Sequence, residues 1–259
     1  MGVMRESAAS FPLRRAAGAA RDAVAGRRRP RLRSASVAVA VLRAGPLALA
    51  VFLAGPLAVA AGNPAPPRHL IYLHGRIVQD QQSARPRHPR FGDYELEAIR
   101  AAFRARGFVV SSEIRPKSAT VAASADRVVA QVRGLLDSGV APEDVTVVGA
   151  SMGAAIALEA AARLRQPRLR LAVLGACLSG SVRDMVAREG RAPSGHVLSI
   201  REASDGITEP CPSWESAPGR APSLEAREIV LHTGLAHGFL YRPLPEWVGP
   251  VAEWALAHR

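Results

Sequence analysis

The chain has 259 residues, an apolar content of 48 % and a formal net charge of +12 at pH 7. This length suits one large domain with an additional segment, and the composition is sufficient for a sizeable core. Residues 1–60 contain ten arginines against two acids, whereas residues 61–259 contain 24 basic residues against 20 acids, so most of the excess charge lies at the N-terminus. The one basic cluster of the body, residues 163–170, has no interleaved aromatic residues. The charge therefore does not indicate a nucleic-acid-binding protein.

The first 61 residues have the character of a targeting segment. Residues 1–34 are rich in arginine, alanine and serine, and residues 35–61 are almost wholly apolar and small, ending near Ala58-Val59-Ala60. This small-x-small pattern is typical of a signal-peptide cleavage site. We therefore predict an exported protein, periplasmic or secreted. The alternative is an uncleaved membrane anchor, which would be the only contact of the chain with a membrane. Residues 62–68 are predicted to link this segment to a domain at 69–259.

Strands and helices alternate along the domain. Short apolar runs predict strands, and apolar residues three and four positions apart predict helices. The predicted strands begin near residues 70, 108, 145, 169, 196 and 227. The predicted helices cover residues 93–106, with Asp93 as the N-cap, 119–136, the stretch after 151, 181–188 and 245–258, and polar loops are predicted at 79–92 and 203–222. This alternation predicts a three-layer α/β fold, a mostly parallel sheet with helices on both faces.

The segment Gly149-Ala150-Ser151-Met152-Gly153 joins a β-branched strand to an alanine-rich helix. In that context the Gly-x-Ser-x-Gly pattern is typical of a nucleophile elbow, a sharp turn that projects the serine hydroxyl above the edge of a sheet. The glycines stand where a Cβ would clash in so tight a turn. A serine hydroxyl is a weak nucleophile and needs a base, which in turn needs an acid to orient it. The alternative is a glycine-rich turn with an incidental serine.

Two candidates for the acid and the base follow later strands. Asp205 comes after the predicted strand at 196–201, and His237 comes after the strand at 227–232. Functional residues of a parallel sheet gather outside the carboxyl ends of its strands. We therefore expect Ser151, Asp205 and His237 to meet at one edge of the sheet.

Other residues compete for these roles. Glu202 or Glu209 could supply the acid instead of Asp205. His232 falls inside a predicted strand and is interpreted as a packed core residue, whereas His74 is interpreted as a brace for the loop after the first strand. The two cysteines and the scattered histidines show no metal-ligand spacing, so no metal site is predicted.

From about residue 69 to its end, the chain resembles the α/β-hydrolase superfamily. The matching features are, in chain order, His74-Gly75 after the first strand, the serine elbow, Asp205 after the next-but-one strand and His237-Gly238 before the last helix. The residues that would support the site from its turns are His74, Gly75, Gly149 and Gly153.

The resemblance implies a role for each residue. Ser151 would be the nucleophile, His237 the general base and Asp205 the acid that orients the imidazole. The backbone N–H groups of Met152 and Arg76 would form the oxyanion hole. This chain has His-Gly-Arg where many esterases have a run of glycines, and Arg76 could instead bind an anionic substrate group or face solvent.

The implied function is that of a serine hydrolase that needs no cofactor and cleaves small carboxylic esters or thioesters through an acyl-enzyme. Only about 20 residues separate the strands that end near 174 and begin near 196, which is short for a lid over a lipid-binding cleft. This favours a small-molecule acyl substrate. Amide or peptide cleavage on the same triad is one alternative, and a non-catalytic binding module is another, although it would not need all three residues.

The two cysteines follow neighbouring strands of the predicted sheet. Cys177 comes after the strand at 169–175, and Cys211 lies in the loop after the strand at 196–201. An even number of cysteines in an exported protein permits a disulfide. We therefore favour a Cys177–Cys211 bond, against the alternative of a buried thiol at Cys177 and an unrelated exposed Cys211.

Overall fold

The computed structural model describes residues 66–177, 181–190, 192–211 and 224–257. They belong to one compact unit, residues 61–259. The predicted targeting segment and residues 212–222 of the predicted loop at 203–222 lie outside the described residues. Within the described ranges, no helix combines the length and the apolar character needed to cross a membrane.

The described residues form eight strands, two of them only two residues long. The strands are β1 (Arg68–Leu73), β2 (Arg87–His88), β3 (Gly92–Asp93), β4 (Phe108–Ser111), β5 (Val145–Ala150), β6 (Arg170–Leu174), β7 (His196–Glu202) and β8 (Glu225–Leu231). The helices are α1 (Arg76–Gln81), α2 (Leu96–Arg104), α3 (Val121–Asp137), α4 (Met152–Leu164), α5 (Ser181–Glu189) and α6 (Pro245–Leu256). Short 3₁₀ helices cover Pro142–Asp144 and Ala236–Tyr241.

Six strands form one parallel sheet in the order β4-β1-β5-β6-β7-β8. The register aligns their carboxyl ends, because Leu73 pairs with Gly149, Ala150 with Leu174, and Leu174 with Ile200. The segments that follow β1, β5, β6 and β7 therefore emerge along one edge, where a ligand site is expected.

Side chains of the sheet alternate between two cores. In β1, Ile71 and Leu73 belong to the core covered by α3, α4 and α5, whereas Leu70 and Tyr72 belong to the core covered by α2 and α6. A parallel sheet that is buried on both faces needs apolar residues at successive positions, which explains the near-continuous apolar runs of the central strands. The predicted three-layer α/β fold is confirmed.

The segment between β1 and α2 differs from the sequence prediction. Residues 79–92 are not one loop, since α1 and the antiparallel β2–β3 hairpin occupy much of this stretch. Asp93 is not an N-cap, because α2 begins three residues later and the Asp93 carboxylate instead pairs with Arg85 and Arg87 at 3.1 and 3.0 Å. The ion pairs of Asp93 thus link the two ends of the short hairpin.

His232 is also placed differently from the prediction. Strand β8 ends at Leu231, and His232 is exposed just beyond it. The interpretation of His232 as a packed core residue is wrong, because the chain leaves the sheet one residue too early to bury this side chain.

Candidate active site

Ser151 occupies a sharp turn between β5 and α4. Its backbone has φ +53° and ψ −116°, a conformation that a residue with a side chain rarely adopts. Gly149 and Gly153 must both be glycine, because a Cβ at either position would collide with nearby backbone. A Cβ on Gly149 would overlap the backbone of Gly153, and a Cβ on Gly153 would overlap the carbonyl oxygen of Leu73. The strand, the strained serine and the two close-packed glycines together form the sharp strand-to-helix turn that the Gly-x-Ser-x-Gly pattern predicts.

Three side chains meet above this elbow. His237 Nε2 lies 3.0 Å from Ser151 Oγ, and His237 Nδ1 donates to Asp205 Oδ2 at 2.6 Å. His237 belongs to the 3₁₀ helix after β8, and Asp205 follows the end of β7. A neutral imidazole whose Nδ1–H donates to the aspartate presents the Nε2 lone pair to the serine hydroxyl. The three candidates predicted from the sequence are therefore brought together in the expected order.

The fold is that of an α/β hydrolase.

The Asp205 carboxylate is 5 % exposed and remains ionised. Burial by itself raises the pKa of Asp205, but the hydrogen bonds from His237 and from the backbone N–H of Ile207 together hold this pKa below its usual range. The Ile207 N–H lies 3.2 Å from Asp205 Oδ1, opposite the oxygen that accepts from the histidine. Both oxygens are thus engaged, which fixes the carboxylate relative to the imidazole.

Two helix starts face Ser151. Met152 is the first residue of α4, and Arg76 is the first residue of α1. The first backbone N–H groups of a helix have no intrahelical acceptor, so both of these N–H groups need an acceptor from outside their own helix. A Cβ on Gly75 would lie 3.7 Å from the Ser151 Cβ, which shows how closely the α1 turn approaches the serine. The two predicted oxyanion donors therefore belong to the first residues of α1 and α4, and the turns before both helices lie close to Ser151.

Several solved structures are similar to this chain at low sequence identity. SOBER1 of Arabidopsis thaliana is 14 % identical, with 74 % of this chain and 98 % of that chain covered and a TM-score of 0.44. A structure of the metagenome-derived lipolytic enzymes LipS and LipT is 14 % identical over 74 % of this chain and 95 % of that chain, with a TM-score of 0.46. No protein-family model and no curated protein matches the chain. The assignment of the fold rests on the strand order and on the elbow.

His74 holds the turn that carries Arg76. It is fully buried, its Nε2 accepts from the backbone N–H of Arg115 at 3.1 Å, and its Nδ1 donates to the carbonyl oxygen of Gly75 at 2.8 Å. Burial, and then the nearby Arg115 cation, lower the pKa of His74 to about 4. His74 is therefore neutral at pH 7, and both of its ring nitrogens are occupied, so it is not available as a general base.

Arg115 is a residue of this region that no sequence motif reveals. Its side chain is 3 % exposed and donates to the carbonyl oxygen of His74 at 2.6 Å and to Gln79 Oε1 at 3.0 Å. Burial lowers the pKa of Arg115 to about 10, which still leaves it protonated at pH 7. The only local signal was an arginine before a proline after a strand, which is also typical of an exposed turn.

Glu202 ties together the two loops that carry the aspartate and the histidine. Its buried carboxylate accepts from Thr233 at 2.9 Å (backbone) and 2.8 Å (hydroxyl), from Ser204 at 3.2 and 2.9 Å, and from the Gly234 N–H at 3.3 Å. Burial alone raises the pKa of Glu202, but the donors of Thr233 and Ser204 outweigh it and lower this pKa to about 2. The ionised carboxylate is thus a fixed anchor for both loops.

These contacts decide between the three predicted acids. The oxygens of Glu202 already accept hydrogen bonds from Ser204 and Thr233. The side chain of Glu209 is exposed, and its backbone N–H donates to the Cys177 carbonyl oxygen at 2.7 Å. Asp205 is the carboxylate that reaches His237.

Cys177 and Cys211 form a disulfide with a Cα–Cα distance of 5.1 Å. Cys177 is buried in the core that α3, α4 and α5 cover, and Cys211 packs against the same core. The bond spans 34 residues of sequence and anchors the segment that begins at Asp205 to the end of β6.

Removing the disulfide should destabilise the protein. On the chain-entropy model, a loop of 34 residues predicts a loss of about 3–4 kcal/mol in the free energy of unfolding for the double variant Cys177→Ala/Cys211→Ala. Urea denaturation of the variant beside the oxidised wild type measures the difference. Reduced wild-type protein is the control and should show a similar loss. An unchanged free energy of unfolding in both samples would show that the bond does not contribute to stability.

A cavity of about 410 Å³ opens beside Ser151 and His237. Seven apolar or aromatic side chains contribute to its wall: Ile77 of α1, Pro89 and Phe91 of the β2–β3 hairpin, Tyr94 just after that hairpin, Ile207, and Leu240 and Tyr241 of the 3₁₀ helix after β8. Arg76, Asp80 and Arg87 bring charge to the same cavity. Within the described part of the chain, no group of three or more histidine, cysteine, aspartate or glutamate side chains is arranged to hold a metal ion.

Proposed function

We propose that the protein is a serine hydrolase that cleaves small carboxylic esters or thioesters through an acyl-enzyme. The observation that carries this proposal is the continuous chain from Ser151 Oγ to His237 Nε2 at 3.0 Å and from His237 Nδ1 to Asp205 Oδ2 at 2.6 Å. A serine on a strained elbow with a base in hydrogen-bond reach and a carboxylate behind that base is the arrangement that activates a hydroxyl for attack.

The first half of the reaction forms the acyl-enzyme. Ser151 Oγ attacks the carbonyl carbon of the substrate while its proton moves to His237 Nε2. The carbonyl oxygen becomes an oxyanion that accepts from the N–H groups of Met152 and Arg76. Protonated His237 then gives its proton to the leaving alcohol or thiol as the bond from the acyl carbon breaks. Asp205 stays ionised throughout and stabilises the imidazolium.

The second half regenerates the enzyme. A water molecule attacks the acyl carbon and transfers a proton to His237 Nε2, and the collapse of the second tetrahedral intermediate returns that proton to Ser151 Oγ as the acid leaves. A cavity of about 410 Å³ is within the size range of sites for small molecules, which supports a small acyl substrate.

The direct test of this function is labelling with a fluorophosphonate probe, which reacts with activated serines without requiring the natural substrate. Full-length wild-type protein should be labelled at Ser151, as mapped by mass spectrometry, and Ser151→Ala should not be labelled. Ser138→Ala, which makes the same change at an exposed serine, should label like the wild type. A folded wild type that is not labelled would favour the non-catalytic binding module instead.

We also propose that the protein is exported. The N-terminal sequence pattern and the disulfide support this, because disulfides persist mainly in oxidising compartments. The N-terminus of the protein recovered from the periplasm or the medium, measured by mass spectrometry, tests both export and cleavage.

A further inference from the structure

Within the part of the chain that the structure describes, Arg115 is a buried cation without a carboxylate partner. Among the described residues, none of its guanidinium nitrogens lies within ion-pair distance of an acid, and Nη1 has no hydrogen-bond acceptor. The acid two positions before it, Glu113, pairs instead with Arg127 at 2.8 Å near the surface. Removing a charge from water without pairing it is costly. A polar group retained at such a cost calls for an explanation other than stability.

The hydrogen bonds of Arg115 converge on the turn after β1. Its guanidinium donates to the carbonyl oxygen of His74 at 2.6 Å and to Gln79 of α1 at 3.0 Å. Its backbone N–H donates to His74 Nε2 at 3.1 Å, which places the proton of this neutral imidazole on Nδ1. The Arg115 side chain therefore holds the backbone before the turn and the helix after it, and the Arg115 backbone N–H selects the tautomer of the histidine within the turn.

The fixed tautomer in turn orients the predicted oxyanion donor. His74 Nδ1 donates to the Gly75 carbonyl at 2.8 Å. That carbonyl and the Arg76 N–H belong to the same trans peptide unit, in which C=O and N–H point in opposite directions. Holding the Gly75 oxygen on the buried side therefore directs the Arg76 N–H to the opposite side. A Cβ on Gly75 would lie 3.7 Å from the Ser151 Cβ, so this turn lies beside the serine.

We propose that Arg115 is a positioning residue for the oxyanion hole: its buried guanidinium holds the turn after β1, and through His74 it holds the Gly75–Arg76 peptide. This rests on the proposed serine-hydrolase function. Electrostatic stabilisation of the oxyanion is effective when its donors are held in place before the reaction. Arg115 acts through His74 and Gln79 and does not contact the substrate.

Arg115→Met tests this proposal, because methionine retains much of the length and loses the charge and all side-chain donors. With 4-nitrophenyl acetate, kcat should fall about 10- to 100-fold, below the effect of deleting a direct oxyanion donor, while KM changes less than about threefold. Arg115→Lys keeps the charge and should recover part of kcat. Arg133→Met, an exposed control on α3, should match the wild type.

A second readout separates positioning from general stability. A trifluoromethyl ketone such as 1,1,1-trifluoroheptan-2-one adds to the serine as a hemiketal oxyanion, so its inhibition constant should rise by about the factor by which kcat/KM falls. All rates are measured at 15 °C on protein whose circular dichroism shows it to be folded. A lower melting temperature with unchanged kcat and inhibition constant would overturn the proposal.

The outcomes remain distinct even when one variant fails. If Arg115→Met does not fold, Arg115→Lys tests the proposal instead, because lysine lacks the planar guanidinium that bridges His74 and Gln79. We then expect kcat of Arg115→Lys to fall severalfold, and an unchanged kcat overturns the proposal. If the folded wild type does not react with the fluorophosphonate probe, the proposed function itself fails. A labelled wild type with unaffected Arg115 variants removes only the role of Arg115.

Discussion

Replacing Asp205 with asparagine is expected to lower kcat about 10³- to 10⁴-fold with little loss of stability. The asparagine amide can occupy the same space but can also donate a hydrogen bond to His237 Nδ1. This favours the imidazole tautomer whose proton lies on Nε2, the atom that faces Ser151 Oγ at 3.0 Å. That nitrogen can then no longer accept the serine proton. Steady-state hydrolysis of 4-nitrophenyl acetate measures the change, and thermal unfolding shows whether the variant remains folded.

The same comparison tests the choice among the acids. Asp137→Asn, the same substitution at an exposed position near the end of α3, is the matched control and should retain wild-type kcat. If Asp205→Asn costs less than about tenfold and Glu202→Gln costs more, the assignment of Asp205 as the orienting acid is contradicted. We expect Asp205→Asn to lower kcat more than Glu202→Gln does, because the Glu202 oxygens already accept hydrogen bonds from Ser204 and Thr233.

The second large effect is expected at the elbow, where Gly153→Ala should lower the free energy of unfolding by about 3 kcal/mol or more. The added Cβ would overlap the carbonyl oxygen of Leu73 in β1. That oxygen belongs to a central strand, so it cannot move aside as a flexible side chain could. To relieve the overlap, α4 must shift away from β1, which also displaces Ser151. Urea denaturation and the soluble yield of the variant measure the loss.

Gly134→Ala in α3 is the control for this experiment. A Cβ at that position meets nothing within 4 Å, and alanine is the better helix former, so the variant should be as stable as the wild type or slightly more stable. If Gly153→Ala and Gly134→Ala have the same free energy of unfolding, close approach is not the reason for glycine at the elbow.

Local patterns were sufficient for most of the fold. The six strands of the main sheet were predicted because each is a short apolar run bounded by turns, and the burial of a parallel sheet on both faces requires such runs. The elbow was recognisable because strand, turn and helix follow each other without a gap around Ser151. The positions of Ser151, Asp205 and His237, each just after a strand of the same parallel sheet, then predicted their meeting.

The failures lie where local patterns are weak. Helix α1 has only six residues, mostly polar, so it shows no helical periodicity that could distinguish it from a loop. The β2–β3 hairpin pairs two residues with two and depends on the ion pairs of Asp93. His232 was assigned to a strand that ends one residue earlier, because sequence patterns fix the centre of a strand better than its end.

By itself, the sequence determined the layered fold and the positions at which serine, acid and histidine leave the sheet, because these follow from periodicity and from strand direction. Only the tertiary structure decided which acid faces the histidine. Glu202 is the last residue of β7 and Asp205 follows three residues later, yet Glu202 binds two neighbouring loops and Asp205 reaches His237. The contact between Arg115 and His74 joins residues 41 positions apart. Such partners are selected by the packing of distant segments, which no local pattern encodes.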